Sequence, residues 1–110
     1  FIIYTMYIIK KYTFDRLQEL NDKLKTDKIT IKPSKMKNKK ISVFINDNKV
    51  ADIGAVRDNG EPYMDYPSYI EQNGKAYADE RRKLYLARHN DPHIKDGKIT
   101  NEWWSLYLLW

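Results

Sequence analysis

Lysines in the first half of the chain are the residues whose type and spacing most clearly predict chemistry. Between residues 28 and 49 the sequence has seven lysines and one acidic residue, Asp47. Several ammonium groups on one surface can contact successive phosphates and release their counterions. A solvated surface loop has the same composition, so both interpretations stay open at this point. The candidate nucleic-acid-binding lysines are Lys32, Lys35, Lys37, Lys39, Lys40 and Lys49.

A second basic cluster lies in the segment AYADERRKLYLARH. Helical spacing places arginines and tyrosines near one face, and such a face can grip phosphate and stack on exposed bases. The same arginines can instead pack over the tryptophans near the end of the chain or pair with neighbouring carboxylates, and we favour this structural interpretation. The candidate binding residues of this cluster are Arg81, Arg82 and Arg88.

Two histidines and a pair of carboxylates are the remaining candidates for chemistry. His89 and His93 have the i, i+4 spacing of metal ligands, but Asp91-Pro92 disfavours a continuous helix and no third ligand follows at a suitable spacing. We therefore predict no metal site and interpret His89 as the end of a helix. Asp79 and Glu80 are adjacent, so on a helix they point about 100° apart and do not converge. A nuclease-like enzyme is the only enzymatic alternative that these residues suggest.

Composition limits the classes of protein to which the chain can belong. Its 110 residues carry a formal net charge of +5 and include no cysteine, which indicates one domain over residues 1–110 and excludes disulfides and cysteine nucleophiles. The four glycines are scattered, so we predict no phosphate-binding loop and no cofactor. Residues 1–50 hold 12 basic and 5 acidic side chains, whereas residues 51–110 hold 8 and 10. The positive field therefore belongs to the first half.

Hydrophobic patterning predicts a mixed α+β fold, in which a small, mainly antiparallel sheet packs against helices in the order β-α-β-β-β-α-α-α. The uncharged start, FIIYTMYII, predicts a strand and is too short to span a bilayer. It also lacks the basic start of a secretory signal, so we expect an intracellular protein that is not bound to membranes. Because the first methionine is Met6, we interpret residues 1–5 as an extension, a fragment edge or a processed end.

The next part of the chain predicts a helix, a strand, a loop and a β-hairpin. Thr13 precedes a run of apolar residues at helical spacing and is the expected N-cap. A tight turn at Asp47-Asn48 joins the strands of the hairpin, and Gly54 marks a bulge or a close backbone approach. The expected elements are a helix over 14–25, a strand over 29–32, a lysine-rich loop over 34–40 and hairpin strands over 41–46 and 49–56.

The second half predicts a basic helical region over residues 67–89. Ser68 and Glu71 have the spacing of a capping box, which places the start of a short helix near Pro67. Asn73-Gly74 then interrupts this region and separates it into two helices.

The chain closes with an aromatic helix over residues 100–110, for which Thr100 is the expected cap. This segment contains all three tryptophans, and its apolar side chains leave no polar stripe for solvent. Such a helix must be buried, either in the core or against a partner. We expect most of it to be core, with Trp104 and Trp110 as candidate interface residues.

Five segments follow one another along the chain: IKPSKMKNKK, ADIGA, MDYPSYI, YADERRKLYLARH and WWSLYLLW. Together they resemble small basic proteins encoded by large double-stranded DNA viruses of algae and amoebae, which are phycodnavirus- or mimivirus-like. From Met6 onward the resemblance covers nearly the whole chain, and it departs at Asn101-Glu102, where small residues are common in the pattern. This group has no assigned activity. The resemblance therefore implies a viral setting, in the virion or the interior of the infected cell, and no chemistry.

These patterns lead to one expectation and one alternative from another class. We expect a non-enzymatic viral accessory or structural protein that binds nucleic acid or another polyanion through the lysine-rich hairpin surface. The alternative is a protein interaction module or minor virion component that docks on viral structural proteins through its aromatic end. Polyanion binding weakens steeply as salt rises, whereas an apolar interface does not.

Overall fold

The computed structural model describes residues 7–89 and 93–110, and the chain divides into two compact units. Unit 1 is Phe1–Tyr63 and unit 2 is Met64–Trp110. The described residues form four α-helices, a three-stranded antiparallel sheet and a two-stranded antiparallel sheet, which confirms the mixed α+β class and the expected order of elements, with the two-stranded sheet as an addition that was not predicted. The first predicted strand falls largely on residues outside the described part. The expectation of one domain stays a prediction.

Unit 1 is built from one helix and the three-stranded sheet. The strand order is β1-β2-β3, so β2 is central and pairs antiparallel with both neighbours. Alternation along the strands places apolar side chains on one face, where Ile29, Ile41, Val43, Ala51 and Ile53 are buried. The elements are α1 (Lys11–Lys23), β1 (Ile29–Pro33), β2 (Lys39–Ile45) and β3 (Asn48–Ala55).

The start of α1 differs from the prediction. Thr13 is fully buried, and its backbone N–H donates to the carbonyl oxygen of Lys10 at 3.0 Å, so it already belongs to the first turn. Lys10 occupies the N-cap position and makes no capping hydrogen bond with its side chain. The prediction of Thr13 as the cap is therefore wrong. Near the other end of α1, the Asn21 side chain exchanges two 2.8 Å hydrogen bonds with the backbone of Ile29, which anchors the helix beside β1.

A tight turn at Asn46-Asp47 joins β2 to β3, one residue earlier than the predicted Asp47-Asn48. Asn46 has a φ of 49° and Asp47 a φ of 69°. A two-residue hairpin turn of type I′ requires this left-handed conformation at both positions, and asparagine and aspartate tolerate it best among the non-glycine residues. The hairpin itself is confirmed, with its turn displaced.

A β-bulge interrupts the pairing of β2 with β3. The register shifts between Val43 and Phe44, which leaves Val50 as the extra residue on β3. The bulged residue is therefore Val50 and not Gly54. Beyond the bulge, the side chains of β3 change face relative to a regular strand.

Unit 2 contains three helices and a short hairpin. Asp65, not Ser68, caps the first of these helices, because its Oδ1 accepts a hydrogen bond from the backbone N–H of Ser68 at 3.1 Å. Thr100 caps the last helix, as predicted, with its Oγ1 accepting from the backbone N–H of Trp103 at 3.3 Å. The predicted helix stop at Asp91-Pro92 lies outside the described residues. The elements are α2 (Tyr66–Asn73), α3 (Lys75–Arg88), β4 (Ile94–Lys95), β5 (Lys98–Ile99) and α4 (Asn101–Leu109).

None of the helices in residues 7–89 and 93–110 combines the length and apolar character that crossing a bilayer requires.

Candidate nucleic-acid interface

The second face of the sheet in unit 1 carries polar side chains and one aromatic ring. Residues directly opposite each other on neighbouring strands share a face, and so do alternate residues along a strand. Lys32 pairs with Ser42, Ser42 pairs with Asp52, and Phe44 pairs with Lys49. We call this surface the polar face and define it as Lys32, Lys40, Ser42, Phe44, Lys49 and Asp52.

Asp52 is the centre of the hydrogen bonds on the polar face. Its Oδ1 accepts from the hydroxyl of Ser34 at 2.9 Å and from the hydroxyl of Ser42. Its Oδ2 lies 3.0 Å from the Nζ of Lys49. Residues three apart on a regular strand point to opposite faces, so this ion pair exists because the bulged Val50 lies between its partners.

These contacts decide the ionisation of Asp52. Burial alone raises the pKa of its carboxyl group, because the side chain is only 11% exposed and a charge is less favourable away from water. Hydrogen bonds from Ser42, Lys49 and Ser34, with the positive charge of Lys49, outweigh that effect and hold the pKa below its ordinary value of 3.8. Asp52 is therefore ionised at neutral pH, and it neutralises part of the charge of Lys49.

Lys40 does not belong to the exposed lysine surface. Its residue is only 2% exposed, its Nζ donates to the carbonyl oxygen of Tyr63, and the same nitrogen lies 5.2 Å from the ring centroid of Tyr7. The prediction of Lys40 as a phosphate ligand is therefore wrong. The physical reason is a tertiary contact: Lys40 lies inside β2, not in the preceding loop, and a carbonyl group distant in sequence accepts a hydrogen bond from its ammonium group.

The other lysines around the β1–β2 connection remain available to a ligand. Lys32, Lys35 and Lys37 are exposed, and Lys39 is half-buried at the first position of β2. The loop between the strands is held by the hydroxyl of Ser34, which accepts from the backbone N–H of Met36 at 3.1 Å. Within the described part of the chain, no ion pair is found for Lys32, Lys35, Lys37 or Lys39.

Phe44 is the functional candidate that the sequence-based site prediction omitted. It is half-buried on the central strand, the Nζ of Lys32 lies 5.2 Å from its ring centroid, and Lys49 is its partner on β3. The signal was present in the sequence, because Phe44 alternates with the buried Ile41 and Val43 and so belongs to the opposite face.

The arginines of α3 are engaged with tyrosine rings of α2. The guanidinium carbon of Arg81 lies 5.6 Å from the ring centroid of Tyr69, and that of Arg82 lies 5.1 Å from the centroid of Tyr66. Both arginines are half-buried, whereas Arg88 is exposed at the end of the helix. This is the structural interpretation of the cluster, with tyrosines instead of tryptophans as the aromatic partners.

A three-residue network joins α2 to α3. The hydroxyl of Tyr66 donates to Asp79 Oδ1 at 2.6 Å, and the Nζ of Lys75 lies 2.7 Å from Asp79 Oδ2. The bond to Asp79 raises the pKa of Tyr66, and bonds from Lys75 and Tyr66 lower the pKa of Asp79. Asp79 therefore acts as a connector between helices, and its ion-pair partner Lys75 lies one helical turn earlier on α3.

The two tryptophans predicted to form an interface, one in α4 and one directly after it, are less exposed than an interface requires. Trp104 is only 1% exposed, so its prediction as an interface residue is wrong: its indole is part of the buried interior. Trp110 is half-buried and stacks on Tyr85, with ring centroids 4.1 Å apart and planes 7° from parallel. The rings of Trp103 and Tyr107 stack in the same way at 5.1 Å. The rings of the aromatic end are thus largely occupied by contacts with one another and with Tyr85 of α3.

His89 follows α3 as its C-cap, which confirms its interpretation as a helix end. Its ring stacks on Tyr85 with centroids 4.0 Å apart, and its Nδ1 lies 3.2 Å from Glu102 Oε1. His93 is exposed. Among residues 7–89 and 93–110, no group of three histidine, aspartate or glutamate side chains is arranged to hold a metal ion.

Comparisons of the chain with protein-family models, with curated proteins and with solved structures give no match. The resemblance to proteins of large DNA viruses therefore stays a prediction, and the function is argued from the geometry of the polar face.

Proposed function

We propose that this chain is a non-enzymatic binding protein whose unit 1 holds nucleic acid or another polyanion on a lysine surface. This lysine surface consists of Lys32, Lys35, Lys37, Lys39 and Lys49. The observation that carries the proposal is that three of these side chains are exposed and have no ion-pair partner among the described residues. Lys32, Lys35 and Lys37 are exposed within six residues of chain, and no ion pair is found for them among the described residues. No carboxylate among the described residues therefore neutralises their charges.

The geometry of β1 and its loop supports contacts with successive phosphates. Alternate residues of a strand lie roughly 6.5 Å apart on one face, and Lys32 is followed by the lysines of the loop at the same end of the sheet. Lysine contacts to phosphates position a ligand without reading its bases. The proposal therefore predicts affinity that depends strongly on salt and weakly on sequence.

The alternative is docking on another protein through the aromatic end, and it has less support. The burial of Trp104 and the stacking of Trp110 on Tyr85 occupy the rings on which this alternative depends. The viral setting, in a virion or an infected cell, comes from the sequence resemblance and is part of the proposal.

The test is binding of labelled single-stranded and duplex DNA and RNA across a salt series. The variant changes Lys32, Lys35, Lys37 and Lys39 together to Gln and leaves the buried Lys40 intact. We expect weaker binding and a shallower dependence of log affinity on log salt, by roughly 0.7–0.9 for each lysine that contacts a phosphate. The matched control changes four exposed cations outside the lysine surface, Lys25, Lys83, Lys95 and Lys98, to Gln.

The control removes the same formal charge from exposed positions. If both quadruple variants lose the same affinity, the interaction depends on net charge and not on the lysine surface. Absence of binding at low salt by a folded, unmodified protein contradicts the proposal altogether and favours a protein partner.

A further inference from the structure

We propose that the polar face binds single-stranded nucleic acid, with one base stacked on the ring of Phe44. This inference rests on the proposed function and deepens it, because it names the strand state of the ligand and the residue that touches a base. The starting observation is the position of Phe44. The apolar core of unit 1 lies on the opposite face of the sheet, yet this ring lies among lysines and hydroxyls and remains partly exposed.

Cations flank the ring on both neighbouring strands. Lys32 on β1 places its ammonium group 5.2 Å from the ring centroid, and Lys49 is the direct partner of Phe44 on β3. Neighbouring strands are about 4.8 Å apart, so the backbones of β1 and β3 that carry these lysines are roughly 10 Å apart, with Lys32 placed diagonally to Phe44 beyond its direct partner Thr30. A nucleotide whose base lies on the ring would therefore have a cation near the phosphate on each side.

Lys32 now covers the ring, and a base can displace it. A cation–π contact at an exposed site stabilises by a factor of only about 2 to 5, whereas stacking of a base on an aromatic side chain contributes a factor of about 5 to 150. Once displaced, the ammonium group of Lys32 stays on its own strand beside the ring. It can then contact the phosphate of the nucleotide that displaced it.

The shape of the surface favours single-stranded over duplex nucleic acid as the ligand. In a duplex each base is stacked between its neighbours, so a single ring on a sheet face cannot reach a base plane. Unpaired bases can be splayed onto such a ring, and every base has a π-face that suits it. The polar face thus combines a stacking platform with phosphate contacts, which is the combination that binds single strands without sequence preference.

The experiment compares the unmodified protein with Phe44→Leu and Phe44→Tyr. The leucine variant keeps an apolar side chain of similar size and removes the π-face, whereas the tyrosine variant retains it. Three ligands of about 12 nucleotides are used: an oligothymidine, an abasic oligonucleotide with the same phosphates, and a mixed-sequence duplex. The single-stranded ligands are tested as DNA and as RNA. Chemical denaturation confirms that the three proteins are equally folded.

We expect the unmodified protein to bind oligothymidine about 5- to 100-fold more tightly than the abasic ligand. Phe44→Leu should remove that preference, and Phe44→Tyr should retain it. Affinity for the duplex and the salt dependence should stay the same in all three proteins, because no charge changes. If the ligand with bases is preferred over the abasic ligand only as DNA or only as RNA, the result shows which sugar the protein accepts and still supports stacking.

Two results overturn the inference and leave the proposed function standing. One is salt-dependent binding in which the unmodified protein does not distinguish oligothymidine from the abasic ligand. The other is a preference that Phe44→Leu retains. If no oligonucleotide binds a folded protein at low salt, the proposed function fails and the inference fails with it.

Discussion

Two regions of this chain, the α2–α3 pair of unit 2 and the β1–β2 connection of unit 1, use basic residues in opposite ways. In the α2–α3 pair, Arg82 lies over the ring of Tyr66 and Lys75 lies beside the carboxylate of Asp79. Unit 1 leaves Lys35 and Lys37 exposed in a connection between strands. A count of basic and aromatic residues therefore does not identify a binding surface. The contacts that each cation already makes within the protein decide whether it is available to a ligand.

The difference has a chemical basis in the side chains themselves. The guanidinium group of arginine is planar and weakly hydrated, so it packs on an aromatic ring at little cost. The ammonium group of lysine is strongly hydrated and stays in water unless a specific acceptor replaces its hydration shell. Arg81 and Arg82 accordingly pack on tyrosine rings, whereas Lys35 and Lys37 stay in water. Lys40 is buried because the carbonyl oxygen of Tyr63 accepts from its ammonium group.

The largest expected effect tests whether the aromatic residues of unit 2 are structural. We expect Trp104→Ala to lower the free energy of unfolding by about 3–5 kcal/mol, because it removes a buried indole and leaves a cavity. Denaturation with urea measures this loss. The control is Trp110→Ala, which should cost less because Trp110 is half-buried. Equal losses in the two variants would show that burial does not distinguish these rings.

The next effect concerns the carboxylate of the polar face. Asp52→Asn removes the charge that accepts hydrogen bonds from Ser34 and Ser42 and pairs with Lys49. Because hydrogen bonds to a charged group in a mostly buried position are strong, we expect the free energy of unfolding to fall by about 1.5–3 kcal/mol at neutral pH. Urea denaturation again measures the change. A loss below the error of the measurement would show that the serine hydroxyls do not need the charge.

The same variant has a defined dependence on pH. The folded protein holds the pKa of Asp52 below its ordinary value of 3.8, so this carboxylate stabilises the fold fully above that value. The stabilisation is lost as the pH falls through the folded pKa. The difference in stability between the unmodified protein and Asp52→Asn should therefore be constant from about pH 5 to 7 and shrink towards about pH 2. A difference that grows on acidification would mean the folded pKa is raised.

A smaller effect is expected for the connector between α2 and α3. Tyr66→Phe removes the hydroxyl that donates to Asp79 and leaves the ring beneath Arg82 in place. We expect a loss of about 1 kcal/mol in the free energy of unfolding, as for a single hydrogen bond. Affinity for nucleic acid should not change, and this second measurement separates a structural role from a role in binding.

The smallest expected effect distinguishes two lysines of the polar face. Lys49 is already paired with Asp52, whereas Lys32 contacts only a ring among the contacts found for it in the described residues. Lys32→Gln should reduce the salt dependence of binding by roughly 1, and Lys49→Gln should reduce it by less. The two variants carry the same net charge. A larger effect of Lys49→Gln would mean that the ligand breaks the pair with Asp52.

Sequence patterns of neighbouring residues predicted most helices and strands of the fold but misplaced some of their caps and turns. Thr100 caps α4 as expected, because a cap acts on backbone groups a few residues away. The cap of α2 was assigned to Ser68 and is Asp65, since both residues suit a cap and only the backbone geometry distinguishes them. The turn of the hairpin was displaced by one residue for the same reason, because asparagine and aspartate are interchangeable in its left-handed positions.

The candidate site was predictable in part. The lysines of the loop were found from charge density alone, and Lys35 and Lys37 are exposed as a binding surface requires. Lys40 was assigned to the same group because its partner, the carbonyl group of Tyr63, is 23 residues away in the sequence. Phe44 was not assigned to the site, although its alternation with Val43 placed it on the polar side of the strand.

The sequence by itself determined the mixed α+β class, the order of the elements and the concentration of positive charge in the first half of the chain. Periodicity, capping and charge are properties of neighbouring residues, so they can be read without a structure. Only the tertiary structure decided that Val50 is bulged and that Ser34 meets Asp52. Contacts between residues far apart in the sequence leave no periodic pattern, and they determine which cations of this protein remain free to bind.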